Sequence, residues 1–260
     1  MMEGANLTLS IVSHGHGAML GTLLAQLNQE EGLAGTQLIV TLNLADEQFD
    51  ATPYQNLSIQ LIRNAKPKGF GANHNAAFAH CRNDWFAILN PDLRLLGKEP
   101  FTALIKAADS IPNLGLIAPS VVSPDGDLED SVRANLTPAS ILLRRAKRYD
   151  AERALLGRTM VCDRTDGRFF WLAGMCLLVR SEAFRAIGGF DKRFHMYCED
   201  YDLCARLWER GYGLAVDSDQ HIIHDAQRDS HLKFRYLRWH LTSLSKVWLS
   251  RTYRVISTEI

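Results

Sequence analysis

The stretch Leu7–Leu27, LTLSIVSHGHGAMLGTLLAQL, decides the fold class. Leu7 to Val12 is a short apolar run of the length and composition of a buried strand. It stops at Ser13-His14-Gly15-His16-Gly17, a polar loop in which two glycines let the chain turn. Met19 to Leu27 then places leucines at 20, 23, 24 and 27, the spacing of one helix face. Strand, polar loop and helix form the opening of a βα repeat, not of an all-helical or all-strand chain.

Reading outward, the pattern repeats. Gln37–Leu42 and Ser58–Ile62 are predicted strands, Gly71–Cys81 a helix, and Trp85–Leu89 a strand that ends at Asn90-Pro91-Asp92. This order predicts an α/β fold with a largely parallel sheet. In such sheets ligands bind beyond the carboxyl ends of the strands. Four polar clusters fall there: Ser13–His16, Asn43, Arg63–Asn64 and Asn90–Asp92. Further on, Leu114–Val122 reads as a strand and residues 123–168 as a polar, basic loop-and-helix insertion carrying Arg144, Arg145, Lys147 and Arg148. Phe169–Arg180, a Gly188-Gly189 turn, a helix near Glu199–Glu209 and a short strand at Leu214–Val216 follow.

The 260 residues suit one large domain, and 47% hydrophobic with 22% charged residues is an ordinary soluble composition. The formal net charge is zero, so any electrostatic partner must meet a local patch. That balance, with no groove-reading motif, argues against nucleic acid. No apolar run is long enough to span a membrane. The amino-terminal stretch lacks the basic region of a signal peptide, and five cysteines without CxxC spacing read as reduced thiols of a cytosolic chain.

Chemistry concentrates at YCEDYDLCARL, Tyr197–Leu207. In a helix from Glu199, residues Asp200, Leu203, Cys204 and Leu207 share one face, so Asp200 is expected toward the packed interior at the edge of a site. Asp202 and Arg206 stand four apart, as an ion pair would. Acids in a first helical turn also suit the helix dipole. Crowded carboxylates raise one another's pKa, which gives a base of adjustable strength. Asp92, braked by Pro91, sits at the mouth of the sheet, where it either caps a turn or binds a ligand. A histidine beside it would suit a divalent ion, and His221 and His224 both qualify by spacing. KGFGANHNAAF (Lys68–Phe78) is neither GxGxxG nor a Walker loop, but Gly71 permits close backbone approach and Asn73 can bond a ribose or phosphate.

Together IVSHGH, GFGANHNAA, LNPDL, WLAGMCLLVR, GGFDKRFHMYCEDYDLCARL and IIHDAQRDSH occur in the order found in family 2 glycosyltransferases. The resemblance spans Leu7 to about His231 and is nearest to bacterial O-antigen dTDP-rhamnosyltransferases. It implies a GT-A fold, a compact nucleotide-binding sandwich. Residues 1–122 would form the nucleotide-sugar half, 123–230 the acceptor half, and 231–260 a basic amphipathic extension. It implies a metal-dependent, inverting transfer of L-rhamnose from dTDP-rhamnose to a polyprenyl-diphosphate-linked N-acetylglucosamine. Asp200, beside Glu199, matches the base; Asp92 matches the last acid of the metal motif, with His224 joining it around Mg2+ or Mn2+. Ser13 and His14 match the first nucleotide-contacting segment, and Asn43, Arg63, Gly71 and Asn73 lie where relatives hold the donor. Two departures stand out: NPD offers one carboxylate where fuller metal motifs have two, and Asn43 replaces a common aspartate.

Lys233, Arg235, Arg238, Lys246, Arg251 and Arg254 alternate with Trp239, Leu241, Trp248 and Leu249, and no acid interrupts them through Ile256. Such a stretch suits an anionic bilayer surface, here the cytoplasmic face of the inner membrane; the alternative is a helix packed on the core. Rivals for the whole chain are a transferase using a UDP-sugar, a non-catalytic glycan-binding module and a Rossmann oxidoreductase, the last disfavoured by the missing GxGxxG.

Overall fold

A computed structural model describes residues 6–145, 160–225 and 234–260, with the side chains of 144–145 and 234–237 outside that description. The leading strand, β1 (Leu7–Ser13), is followed by α1 (Gly17–Gln29), whose Leu20, Leu23, Leu24 and Leu27 are all buried, as their spacing predicts. Then come β2 (Gln37–Leu42), β3 (Ser58–Arg63), α2 (Phe70–Phe78) and β4 (Trp85–Leu89). Beyond Asp92 lie β5 (Leu93–Leu95), α3 (Pro100–Asp109) and β6 (Leu114–Val122). The second half contributes β7 (Val132–Ala134), α4 (Pro138–Arg145), β8 (Met160–Cys162), β9 (Phe170–Leu172), β10 (Cys176–Arg180), α5 (Ser181–Ala186), α6 (Glu199–Glu209), β11 (Gly213–His224), α7 (Phe234–Leu249) and α8 (Arg251–Glu259).

Among the described residues one nine-stranded sheet runs β3-β2-β1-β4-β10-β6-β11-β5, with β8 also on β11. The first four strands are parallel, and so are β6 and β11. β10 enters antiparallel between β4 and β6, so the sheet is mixed rather than largely parallel. The apolar run 169–180 signals a strand but carries no mark of its direction. That reversal matters for the site: the amino end of β10 lies beside the carboxyl ends of its neighbours.

β11 is twelve residues long where the sequence suggests three, because it is broken by a register shift between Asp217 and His221 that its polar residues conceal. The polar insertion contains the predicted helix, α4, and two short strands. Lys147 and Arg148 lie outside the described residues, as do the side chains of Arg144 and Arg145.

The carboxy-terminal stretch is two helices, split at Ser250, whose hydroxyl accepts from Tyr253 N at 3.1 Å and caps α8. Both helices pack on the sandwich: Val247 and Ile256 are buried, and Trp248 Nε1 donates to Leu136 O at 2.7 Å. None of the five cysteines forms a disulfide.

Candidate active site

The carboxyl ends of β1, β2, β3 and β4 put Ser13, Asn43, Asn64 and Asn90 along one edge of the sheet. Asn90 N donates to Met175 O at 2.9 Å, which ties the end of β4 to the residue before β10. The next residue back, Gly174, donates its N–H to Asp200 Oδ2 at 3.1 Å. A short backbone path therefore joins Asn90, and with it Asp92, to the carboxylate of Asp200 on the same edge. An added Cβ at Gly174 would lie 3.4 Å from the Phe70 ring and 3.6 Å from Asp200 Cβ, ordinary van der Waals contact, so it is the backbone N–H and not the lack of a side chain that Gly174 brings to Asp200.

The three acids in the first turn of α6 occupy three environments. Asp202 is buried and paired to Arg206 Nε at 2.7 Å, and Arg206 also donates to the carbonyls of Ile187 and Gly189 at 2.8 Å each. That pair closes the Gly188-Gly189 turn onto the helix. Glu199 is buried, its Oε2 has no partner, and burial first and the charge of Asp200 second push its carboxyl up to about 8. Asp200 keeps an accessible side and accepts from Gly174 N and from Tyr201 N. The expectation that Asp200 faces the interior is corrected: Glu199 and Asp202 do. Eight of the eleven residues of α6 are buried, so an argument from a single apolar face could not rank the acids.

The helix begins from two consecutive non-glycine residues in the left-handed region, Tyr197 (φ 69°) and Cys198 (φ 63°). Each such residue costs on the order of 1–3 kcal/mol, which the surrounding packing must offset. From α7, Ser243 Oγ donates to Met196 O at 2.9 Å and the Trp239 ring meets that of His195, holding this loop from outside.

At the other end of the site, His224 closes β11 opposite Leu93. Its Nε2 lies 3.5 Å from Asp92 Oδ2 and its Nδ1 lies 3.0 Å from Glu129 Oε2. Asp92 Oδ1 is buried without a partner. Burial alone would lower the pKa of His224, but Asp92 and then Glu129 outweigh it and raise it. It is His224 that the strand brings to Asp92; His221 instead lines a cavity with Lys98 and Asp219. Glu129 has no signal in the sequence, since 95 residues separate it from His224.

The expected donor residues form a tight polar net. Asn43 Oδ1 accepts from Lys68 N and from Asn64 Nδ2, both at 2.9 Å, while its Nδ2 reaches Lys68 O and His14 Nδ1. All the bonding positions of that amide are taken, so an incoming ring meets His14 or the Lys68 backbone first. Asn64 Nδ2 also donates to Asn73 Oδ1 at 2.7 Å, and Asn73 is buried. Ser13 Oγ donates to Glu47, Arg63 donates to the Glu47 carbonyl, and His14 is exposed. Gly71 is buried, and an added Cβ would stand 2.6 Å from Phe190 Cβ. No local sequence pattern marks Asn64 as the centre of this net, or Glu47, Lys68 and Gly174 as contributors to the site.

Residues 51–256 match the model of the family described as glycosyltransferase like family 2. The chain belongs to that family. This family 2 glycosyltransferase is 29% identical to N-acetylglucosaminyl-diphospho-decaprenol L-rhamnosyltransferase of Mycobacterium tuberculosis, covering 85% of this chain and 78% of the relative. It is also 29% identical to rhamnosyltransferase WbbL of Escherichia coli K12, over 96% of this chain and 94% of that one. Among solved structures, the mannosyltransferase PcManGT of Pyrobaculum calidifontis, in complex with GDP-Man and Mn2+, superposes with a TM-score of 0.65 at 13% identity, over 99% of this chain and 69% of that chain. The family 2 transferase thus has the GT-A fold.

Proposed function

We propose that this glycosyltransferase moves L-rhamnose from dTDP-rhamnose to a polyprenyl-diphosphate-linked N-acetylglucosamine, with inversion, in cell-surface polysaccharide synthesis such as that of O antigen. Two rhamnosyltransferase relatives support the sugar, and one of them, an N-acetylglucosaminyl-diphospho-decaprenol L-rhamnosyltransferase, supports the acceptor class. The observation that carries the chemistry is the link from Asp92 through Asn90–Met175 and Gly174 to Asp200 along one sheet edge.

Asp200 takes the proton of the acceptor hydroxyl as that oxygen attacks the anomeric carbon, and the bond to the nucleoside diphosphate breaks with its electron pair on the diphosphate. The Gly174 N–H holds the carboxylate in place. Glu199, protonated in its pocket, adds no second negative charge beside it. Ser13, His14, Arg63 and the backbone around Gly71 and Asn73 take the donor nucleotide. In this reading residues 1–122 serve the donor and 123–230 the acceptor.

Asp92 and His224 fit Mg2+ or Mn2+, because a buried carboxylate oxygen lacks a partner and an imidazole nitrogen faces the same carboxyl. Among the described residues no third His, Cys, Asp or Glu completes a cage, so Asp92 and His224 would hold the ion together with ligands from outside this set, such as the donor diphosphate. When bound, the cation neutralises charge on the leaving diphosphate. Donor affinity is therefore expected to fall when EDTA is added and in Asp92→Ala; equal affinity with and without EDTA in titration calorimetry contradicts the metal role.

Attachment to the cytoplasmic face of a membrane rests on the carboxy-terminal helices. Leu241 and Leu249 are 58% and 80% exposed on α7, and Arg251 is exposed just beyond it. Among the described residues no helix is long and apolar enough to cross a membrane. The purified protein, given dTDP-rhamnose and polyprenyl-diphosphate N-acetylglucosamine, is expected to release dTDP and lengthen the acceptor. Turnover with UDP-sugars alone would favour a different donor, and no turnover with any donor a binding module.

A further inference from the structure

Glu129 lies on a turn far from every sequence motif, yet its side chain is aimed at the metal end of the site. The turn is rigidly built: Ser123 N donates to Asp127 O at 2.7 Å, Val122 bridges Leu128, and Glu129 N donates to Val121 O at 2.8 Å. Glu129 Oε2 is thereby set 3.0 Å from His224 Nδ1. On the opposite side of the ring, Asp225 N donates to Asp92 O at 3.0 Å, so backbone rather than side-chain freedom fixes the end of β11 beside Asp92.

A neutral imidazole carries one ring proton. A carboxylate at hydrogen-bond distance from Nδ1 draws that proton to Nδ1 and leaves the lone pair on Nε2. That lone pair is the one directed at Asp92. The 3.5 Å between Nε2 and Asp92 Oδ2 is longer than a hydrogen bond. It is close to the ~3 Å edge between neighbouring ligands bound at ~2.1 Å to one octahedral ion. Because the two ring nitrogens point apart, Glu129 cannot share that ion itself.

Building on the metal reading above, we propose that Glu129 is a positioning residue that fixes the tautomer and orientation of His224, so that Nε2 joins Asp92 as a ligand of a divalent cation. The competing arrangement is an imidazolium clamped between two acids, a purely structural tie between β11 and the 123–131 turn.

The test uses the full chain with Mn2+ and dTDP, reading free Mn2+ by electron paramagnetic resonance and the Mn–nitrogen coupling by electron spin-echo modulation. Native protein is expected to show nitrogen coupling that disappears in His224→Ala. Glu129→Ala is expected to bind Mn2+ about 10–100-fold more weakly, with weakened nitrogen coupling, and Glu129→Gln to fall in between. Glu129→Gln is nearly isosteric, and its melting curve checks that the fold is intact. Affinity and coupling in the folded Gln and Ala variants equal to those of native protein overturn the positioning role and leave the metal reading standing. Native protein that binds no Mn2+ in the presence of dTDP overturns both.

Discussion

Asp200, Glu199 and Asp202 show how far neighbouring like charges can be separated in purpose by their surroundings. Asp202 is paired with Arg206, Glu199 is held in a pocket, and Asp200 keeps an open side while accepting from the N–H groups of Gly174 and Tyr201. Asp200→Asn keeps the size and loses the proton acceptor; turnover is expected to fall about 10²–10⁴-fold with donor affinity unchanged. A parallel loss of donor binding in calorimetry would assign Asp200 to the donor instead. Glu199 makes a pH prediction whose sign follows from linkage. Its carboxyl holds a proton in the folded state up to about 8 against an ordinary 4.5, so the folded state binds more protons across that window and stability falls as pH rises through it. Glu199→Gln mimics the protonated form and abolishes this slope. The melting temperature of the variant minus that of native protein should be least near about pH 5 and greatest above about pH 8; a constant difference would count against the assignment. The sequence displayed all three acids but not their ranking, since the ranking depends on Arg206, Gly174 and a pocket that meet only in space.

Elements meet at glycines. α2 approaches the 190–195 segment so closely that Gly69 has no room for a Cβ against His195 O, and Gly71 none against Phe190. Asn75 locks the same contact, donating to Phe190 O at 2.8 Å and accepting from Phe190 N at 2.9 Å. This packing couples the donor-side helix to the chain leading into α6. Gly71→Ala is therefore expected to cost about 1–3 kcal/mol in a denaturant melt, through overpacking. A variant as stable as native protein would mean that α2 can slide. The helix itself was legible from GFGANHNAA to within a turn, while its partner was not. Nothing in the local pattern says that a glycine serves packing rather than ligand approach.

Across the whole molecule, one strand reversal assembles the site. With β10 antiparallel, the Gly174–Met175 turn falls among the carboxyl ends of β1, β2, β3 and β4, and β11 carries His224 to the same edge. The carboxy-terminal helices close the far side while exposing leucines. Deleting residues 231–260 would uncover the sites of Val247 and Ile256, so surface substitutions test membrane contact more cleanly. Leu241→Glu with Leu249→Glu is expected to lower binding to anionic phospholipid vesicles in a flotation assay while leaving the melting temperature within a few degrees. Unchanged flotation would reject α7 as the contacting surface.

The sequence by itself determined the α/β class, the amino-terminal strands to within a residue, α6 and the acids it carries. These follow from local periodicity and from residue types that a short segment displays whole. Tertiary structure alone decided the direction of β10, the choice of His224 over His221, the engagement of Glu129 and the burial of Glu199 in preference to Asp200. Each is a contact between segments far apart in the chain. Burial and proton affinity are properties of the assembled surroundings, so no residue carries them in its own identity.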